Sequence, residues 1–583
     1  MARNALAALF LASMLPAPAI AAPDEAPAAR GQEREMARTI LNQARRILDS
    51  LYRAQPNAGH RYADEVAAGL AAVGDFQAAE ALFGQRKSTG RFHDVSLRCL
   101  AVGYARGGDM ARARATIARI RDAEPDYARQ KPLAWLHSGL AFAKAGRGGE
   151  AAEAFAEAVR STPRSERFPE QEGLFLAEVA AGQYQAGQPA ESEATFRSAI
   201  ARVEEDRHLR THGLLEIAAI RVRLGLLPQA EATIERIADP RDRQWGWSKL
   251  VETEAEAGRL DEASRLTTRI DGVPAARAGL VLAAARFKVG HLREARRALE
   301  QAEAAARRVT VVAQRIQIDG QLAESRAMLG DREAAADWLK EATALALGAS
   351  IAVDGRAPSA IERQIEQVPG AMFRKSSLIG IAAIQAKLGF VDDARRSFDR
   401  AKAASRDLQP GLWQNAAITM LAKTQAEAGL PDDAMRTLES LPQANLKWLD
   451  YVPVAVARAK AGDFAGARHV VDLHRADAHS TRSYIAQALL EAGDLDNALR
   501  VALRSSPWSE EVVHDAARRI VASDRKLPLP QPLDAFPPEV RVAVLAGAAE
   551  GLLDRAGRSA SKSATNPTRP GESPRAPTER PGP

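Results

Sequence analysis

The sequence predicts an all-α protein, an α-solenoid of about twelve helical hairpins. Three observations carry that prediction. The chain has 583 residues, more than one ordinary core organises, so several domains or a repeat array are expected. Its apolar fraction of 46% is carried by alanine and leucine, with aromatics at only 5%, a mixture that favours closely approaching helices. Glycines recur at Gly74, Gly108, Gly146, Gly187, Gly225, Gly258, Gly290, Gly330, Gly389, Gly429, Gly462 and Gly493, mostly 31 to 41 residues apart.

The flanks of these glycines share one pattern. Five residues after them stand Ala79, Ala113, Ala151, Ser192, Ala230, Ala263, Ala295, Ala335, Ala394, Ala434, Ala467 and Ala498. Seven residues before them every side chain but Val251 is small. Nine residues after them the side chain is large and apolar, as in Phe83, Ile117, Phe155 and Phe398, except at Thr267 and Ala502. A hairpin explains the spacing. The glycine ends a first helix in the left-handed conformation that costs it least. Asp75, Asp109, Asp331, Asp463 and Asp494 follow directly and suit a helix N-terminus. Pro228 and Pro431 lie where a second helix starts, and the small residues face each other where the two helices cross.

The elements follow in chain order. Residues 1–21 have the form of a secretory signal: Arg3 is a positive start, Ala5 to Leu15 are apolar, and Ala19-Ile20-Ala21 is a small-x-small cleavage site. Cleavage after Ala21 or Ala22 and export, to a periplasm or the medium, are expected. No later segment is long and apolar enough to span a bilayer, so no integral membrane segment is expected after cleavage. Residues 22–31 read as a linker. Residues 32–60 read as a capping helix, with Met36, Ile40, Leu41, Ala44, Ile47, Leu48 and Leu51 on one stripe. Hairpins fill 61–347 and 371–505. Between them, 348–370 opens with loop-forming residues; a decayed repeat, a joint or a functional loop fits, and the joint is favoured. Residues 506–557 form a helical cap, with helices at Glu510 to Ser523 and Glu539 to Asp554 around the proline-rich KLPLPQPLDAFPP. Residues 558–583 hold almost no large apolar side chains and are expected to be disordered.

The repeat resembles the tetratricopeptide repeat over roughly Arg61 to Leu503. Tyr104 and Phe142 stand at that family's first-helix aromatic position, four residues before the glycine. Ala158, Ala199, Ala302, Ala342 and Ala401 match its later small position, and Pro125 and Pro163 its closing proline. Most repeats lack the proline, and Gln183, Arg221, Arg286, Arg326, Gln385 and Arg458 replace the aromatic. The resemblance implies a right-handed superhelix of divergent repeats, with a concave groove lined by first helices. It also implies protein or peptide partners in that groove.

Little in the sequence points to catalysis. It contains no phosphate-binding loop, dinucleotide fingerprint or nucleophile elbow, and no cofactor is expected. His208 and His212 are four residues apart, but no third zinc ligand is identifiable. His469, His474 and His479 advance by five-residue steps and do not share a helical face. Asp392-Asp393 and Asp432-Asp433 fall where second helices start, and there they favour the helix dipole. Cys99, the single cysteine, excludes an intrachain disulfide and reads as a buried thiol. The formal charge of +6 loses Arg3 with the signal, and the tail holds a net +3, so the body is nearly neutral and nucleic acid is not an expected partner.

The groove supplies the candidate site. Two residues before the glycine stand Arg106, Lys144, Arg223, Lys288, Lys387 and Lys460, a discontinuous basic stripe suited to acidic segments of a partner. Solvation of an exposed face is the competing reading. The function expected is a non-enzymatic exported scaffold that binds proteins or peptides. The rivals are a helical envelope enzyme, for example one acting on a polysaccharide, and a cytoplasmic repeat scaffold.

Overall fold

The computed structural model describes residues 26–54, 62–85, 91–121, 129–164, 167–206, 208–348, 370–406, 412–442, 446–473, 478–504 and 510–564. The signal at 1–21, the insertion at 349–369, His474 and residues 565–583 lie outside them.

The described residues form an all-α array of helical hairpins, each named here by its turn glycine. In chain order the helix pairs are Ala63–Ala72 with Phe76–Gly84, Arg91–Arg106 with Met110–Ala118, Gln130–Lys144 with Gly148–Ser161, Pro169–Gln185 with Pro189–Glu205, Arg210–Arg223 with Leu227–Glu235, and Pro240–Glu256 with Leu260–Leu266. There follow Gly272–Lys288 with Leu292–Ala306, Val312–Met328 with Arg332–Leu347, Gly370–Lys387 with Val391–Arg406, Leu412–Glu427 with Pro431–Glu439, Trp448–Lys460 with Phe464–Leu473, and Ala478–Glu491 with Leu495–Ala502.

The turn chemistry is the one the spacing predicts. All twelve glycines have φ between +73° and +85°, a region where a Cβ is strained. The next residue's N–H reaches back to the first helix, as from Asp75 to Leu70 O and from Asp109 to Tyr104 O, both 2.9 Å. All five aspartates cap the second helix. Their carboxylates accept from the N–H of Ala78, Arg112, Ala334, Gly466 and Asn497.

The helix crossing is equally direct. Ala79, Ala113, Ala151 and Ala434 are fully buried. The one serine at this position explains itself: Ser192 Oγ donates to Ala180 O at 2.8 Å. These are the residues five after and seven before Gly187, so the two small positions do meet. A larger side chain there would overpack the crossing by about 1–3 kcal/mol.

The chain divides into two compact units, a first of residues 1–154 with 513–583 and a second of residues 155–512. In the second unit successive first helices pack on one another from the Gly187 hairpin to the Gly493 hairpin, and a continuous core runs from Leu176 to Leu421.

The first unit joins both ends of the chain. Its N-terminal helix, Ala26–Ala54, packs against the C-terminal helix, Pro538–Ala564, and against the first helix of the Gly74 hairpin. Arg555 Nε donates to Glu33 Oε1 at 2.6 Å. Two boundaries differ from the sequence reading. The N-terminal helix starts at Ala26, inside the stretch read as linker, because alanines dominate there and Pro27 is tolerated in a first turn. The C-terminal helix continues to Ala564, inside the stretch read as disordered, because no proline interrupts it before Pro567. A Cβ on Gly547 would strike His514 O at 2.2 Å and one on Gly551 would strike Arg518 O at 2.5 Å. These paired offsets make helix 538–564 run parallel to Glu510–Ala522, and the proline-rich connector is the return path a parallel pair requires.

Candidate functional site

Side chains thirteen, nine, six and two residues before each glycine form one stripe along a first helix. In the second unit these stripes stand side by side. Arg277 lies over the Trp245 ring, 5.2 Å from its centroid, and its Nη2 donates to Gln317 Oε1 at 3.1 Å. All three residues are thirteen before their glycines, on successive hairpins. Lys387 Nζ, two before, reaches Glu324 Oε1, six before, at 2.6 Å on the preceding hairpin. From the Gly258 hairpin to the Gly389 hairpin the stripes therefore make a ladder of neighbouring side chains.

The six basic candidates are all exposed at the last turn of a first helix, where a cation complements the carbonyl end. Arg106 and Lys144 belong to the first unit and the other four to the second. In the second unit the stripe is not continuous. Between Arg223, Lys288, Lys387 and Lys460 stand Glu256, Met328 and Glu427, and Glu491 follows. Lys387 is already engaged by Glu324.

The remaining candidates resolve into structural roles. His212 Nδ1 lies 2.9 Å from Glu170 Oε1, whereas His208 sits in the turn before the helix, so the two imidazoles do not share a helical face. His469 is exposed. No group of three potential metal ligands occurs among the described residues. Asp432 pairs with Arg458 at 2.6 Å and Asp433 with Arg395 at 3.1 Å. Cys99 and His137 occupy the position nine before the glycine on packed neighbouring first helices. Burial pushes the Cys99 thiol up to about 11. Burial, followed by Arg98 and Arg106, pushes His137 down to about 4. Both are neutral at pH 7.

Sequence reasoning named the residues four before the glycine without reading what their arginines do, and it missed a second set altogether. Three arginines four before the glycine, Arg221, Arg326 and Arg458, clamp adjacent hairpins together. Arg221 donates to Glu193 at 3.0 and 3.1 Å and to Thr233 Oγ1 at 2.9 Å. Arg326 grips both oxygens of the buried Glu303 at 2.6 and 2.7 Å, and Trp338 Nε1 donates to the same carboxylate at 3.2 Å. Arg458 reaches Asp432. Each acid lies on the second helix of the preceding hairpin. The second set follows the glycine directly: Arg147 donates to Gly108 O, and Arg259 to Val222 O at 2.5 Å, each meeting a carbonyl at the end of the preceding first helix. An arginine next to the turn glycine was the only available signal.

No family model matches the chain, and no curated protein matches it. Among solved structures it is similar to a Rap protein complexed with competence and sporulation factor, at 12% identity over 66% of this chain and 99% of that one, TM-score 0.26. It is similar to the APC/C hetero-tetramer Cut9-Hcn1, at 13% over 83% and 95%, TM-score 0.22. It is also similar to the pentatricopeptide repeat protein PPR10 from maize, at 15% over 89% and 85%, TM-score 0.23.

Proposed function

We propose that the chain is a non-enzymatic exported scaffold that holds protein or peptide partners along its first helices. The observation that carries this reading is the ladder. Rows of side chains from consecutive hairpins stand within contact of one another, as Trp245, Arg277 and Gln317 do. Such a surface presents the same positions at regular intervals, and an extended or helical segment can be read along it. Export rests on the form of residues 1–21.

The test is crosslinking in the native host, with mass spectrometry of whatever attaches to the tagged chain. A parallel chain carries Arg106→Glu, Lys144→Glu and Arg223→Glu. A specific partner is expected, reduced in the charge-reversed chain; capture of no partner sinks the scaffold reading. N-terminal sequencing of the mature chain checks export, because an intact Met1 or Ala2 contradicts cleavage.

A further inference from the structure

We propose that the first helices of the Gly108 and Gly146 hairpins form a proton-linked receptor for a carboxylate carried on an apolar protein segment. Arg98 and Arg106 take the carboxylate, and His137 takes up a proton as it binds. This deepens the scaffold reading and rests on it.

The two helices, Arg91–Arg106 and Gln130–Lys144, pack on each other inside the first unit. Thirteen, nine and six residues before their glycines they carry Val95, Cys99 and Val102, and Leu133, His137 and Leu140. All six are half-buried, so the row is open to solvent. Four are aliphatic, and Cys99 and His137 are neutral at pH 7. Such a row suits apolar side chains. Arg98 and Arg106 border it, two turns apart and about 12 Å along the helix axis. Both act on Cys99 and on His137, and neither makes a hydrogen bond or ion pair among the described residues.

The charges around the row favour an anion. Helix 130–144 holds no acid and carries Lys131 and Lys144. Helix 91–106 holds one, Asp94, which is buried and accepts from the Arg121 N–H at 3.4 Å. His93 and Tyr104 of that helix turn to Phe83 and Glu80 of the preceding hairpin. On the first helix before it, Ala63–Ala72, Asp64 accepts from Ser96 Oγ at 2.8 Å, and Asp64 and Glu65 act on Cys99. Met110–Ala118 brings Arg112 and Arg114 and no acid. The C-terminal helix also packs on helix 130–144, and its described charges are Glu539, Arg541, Glu550, Asp554 and Arg555. Arg518 holds Glu550 and Asp554, Asp534 holds Arg541, and Glu33 holds Arg555. Of all these charges, the ones that act on His137 are Arg98 and Arg106. An imidazole sheltered beside two guanidiniums without carboxylate partners stays unprotonated, and an incoming carboxylate reverses that field. Binding then carries a proton with it.

The experiment pans a random dodecapeptide phage library on the full-length chain and measures the selected peptides by fluorescence anisotropy at pH 8 and pH 6. Cys99 is the single thiol, so its alkylation by N-ethylmaleimide reports occupancy of this row. Peptides that slow alkylation should combine large apolar residues with Asp or Glu. Arg98→Gln/Arg106→Gln should weaken them roughly tenfold or more. Their affinity should rise about threefold or more from pH 8 to pH 6, and His137→Gln should flatten that rise. Arg98 and Arg106 hold nothing inside the fold, and circular dichroism checks that the double variant keeps it. Failure to select any peptide that protects Cys99 overturns the proposal. So do protecting peptides that are basic or wholly polar, binding indifferent to the arginine variant, or equal affinity at the two pH values. The two readings fail separately. A host partner captured equally by the native chain and the Arg98→Gln/Arg106→Gln chain removes the receptor and leaves the scaffold. Selected peptides that obey the variants, with no host partner captured, leave the receptor and remove the scaffold.

Discussion

The Gly108 and Gly330 hairpins fill one structural position in opposite ways. Four residues before Gly108, Tyr104 is fully buried, and its hydroxyl donates to Glu80 at 3.1 Å. Four residues before Gly330, Arg326 spends its guanidinium on Glu303. In both, the side chain crosses to the second helix of the preceding hairpin. In these two hairpins the position bridges repeats, and an aromatic ring is one way to supply that reach. A ring gains by burial, which is tolerant of neighbours. An arginine needs its partner in place, because a carboxylate left buried without it is costly.

Substitutions break this comparison in graded steps. Phe142→Ala should cost about 3–5 kcal/mol, since the ring is fully buried and leaves a cavity. Arg326→Leu should cost about 3 kcal/mol for a different reason: Glu303 loses its counter-charge and keeps only the bond from Trp338. Adding Glu303→Leu should recover most of that loss, whereas no second substitution rescues Phe142→Ala. Denaturant unfolding of the two series separates ring from clamp; an unrecovered Arg326→Leu/Glu303→Leu chain would contradict the account.

A second polar cluster sharpens the point through pH. Asp319 is fully buried, with one oxygen on Arg315 Nε at 2.6 Å, while Arg315 also bonds Glu341. Burial pushes its carboxyl up to about 7, against the pull of Arg315. A raised carboxyl pKa means the folded chain holds a proton that the unfolded chain has released. Stability from this group is therefore greatest near pH 4 and is lost as pH rises toward 7. Asp319→Asn should flatten that decline in midpoints measured across the same range; an unchanged slope assigns it elsewhere.

Smaller effects come from the turns and the outer surface. Gly225→Ala should cost about 1–2 kcal/mol from backbone strain alone, because open space surrounds the position. Arg236 meets Glu204 with two bonds of 2.7 Å between neighbouring second helices, yet the pair is exposed. Arg236→Ala should cost no more than about 1 kcal/mol and less at high salt. A loss comparable to that of Arg326→Leu would mean that outer pairs, too, hold the array.

The hairpins were legible because backbone geometry fixes the distances from glycine to its small and capping neighbours. Gly187, Ala180 and Ser192 lie within a short stretch, and one turn determines how they meet. The clamps were not legible in the same way. Arg221 finds its acid 28 residues upstream and Arg326 finds one 23 upstream, at different places on the second helix. No constant spacing announces them. The basic stripe was legible as positions, but its dilution by Glu256, Met328 and Glu427 shows only when hairpins are set side by side. Met420, Leu449 and Tyr484 each read as core in the sequence, yet each is about half exposed in the fold.

The ion pair between Glu33 and Arg555 spans 522 residues. A ribosome delivers Glu33 long before Arg555 exists. Throughout that interval the apolar stripe of the N-terminal helix lacks the surface that covers it in the finished molecule. The first hairpins made are thus completed last, and a chain stopped short of residue 538 leaves its own beginning unfinished.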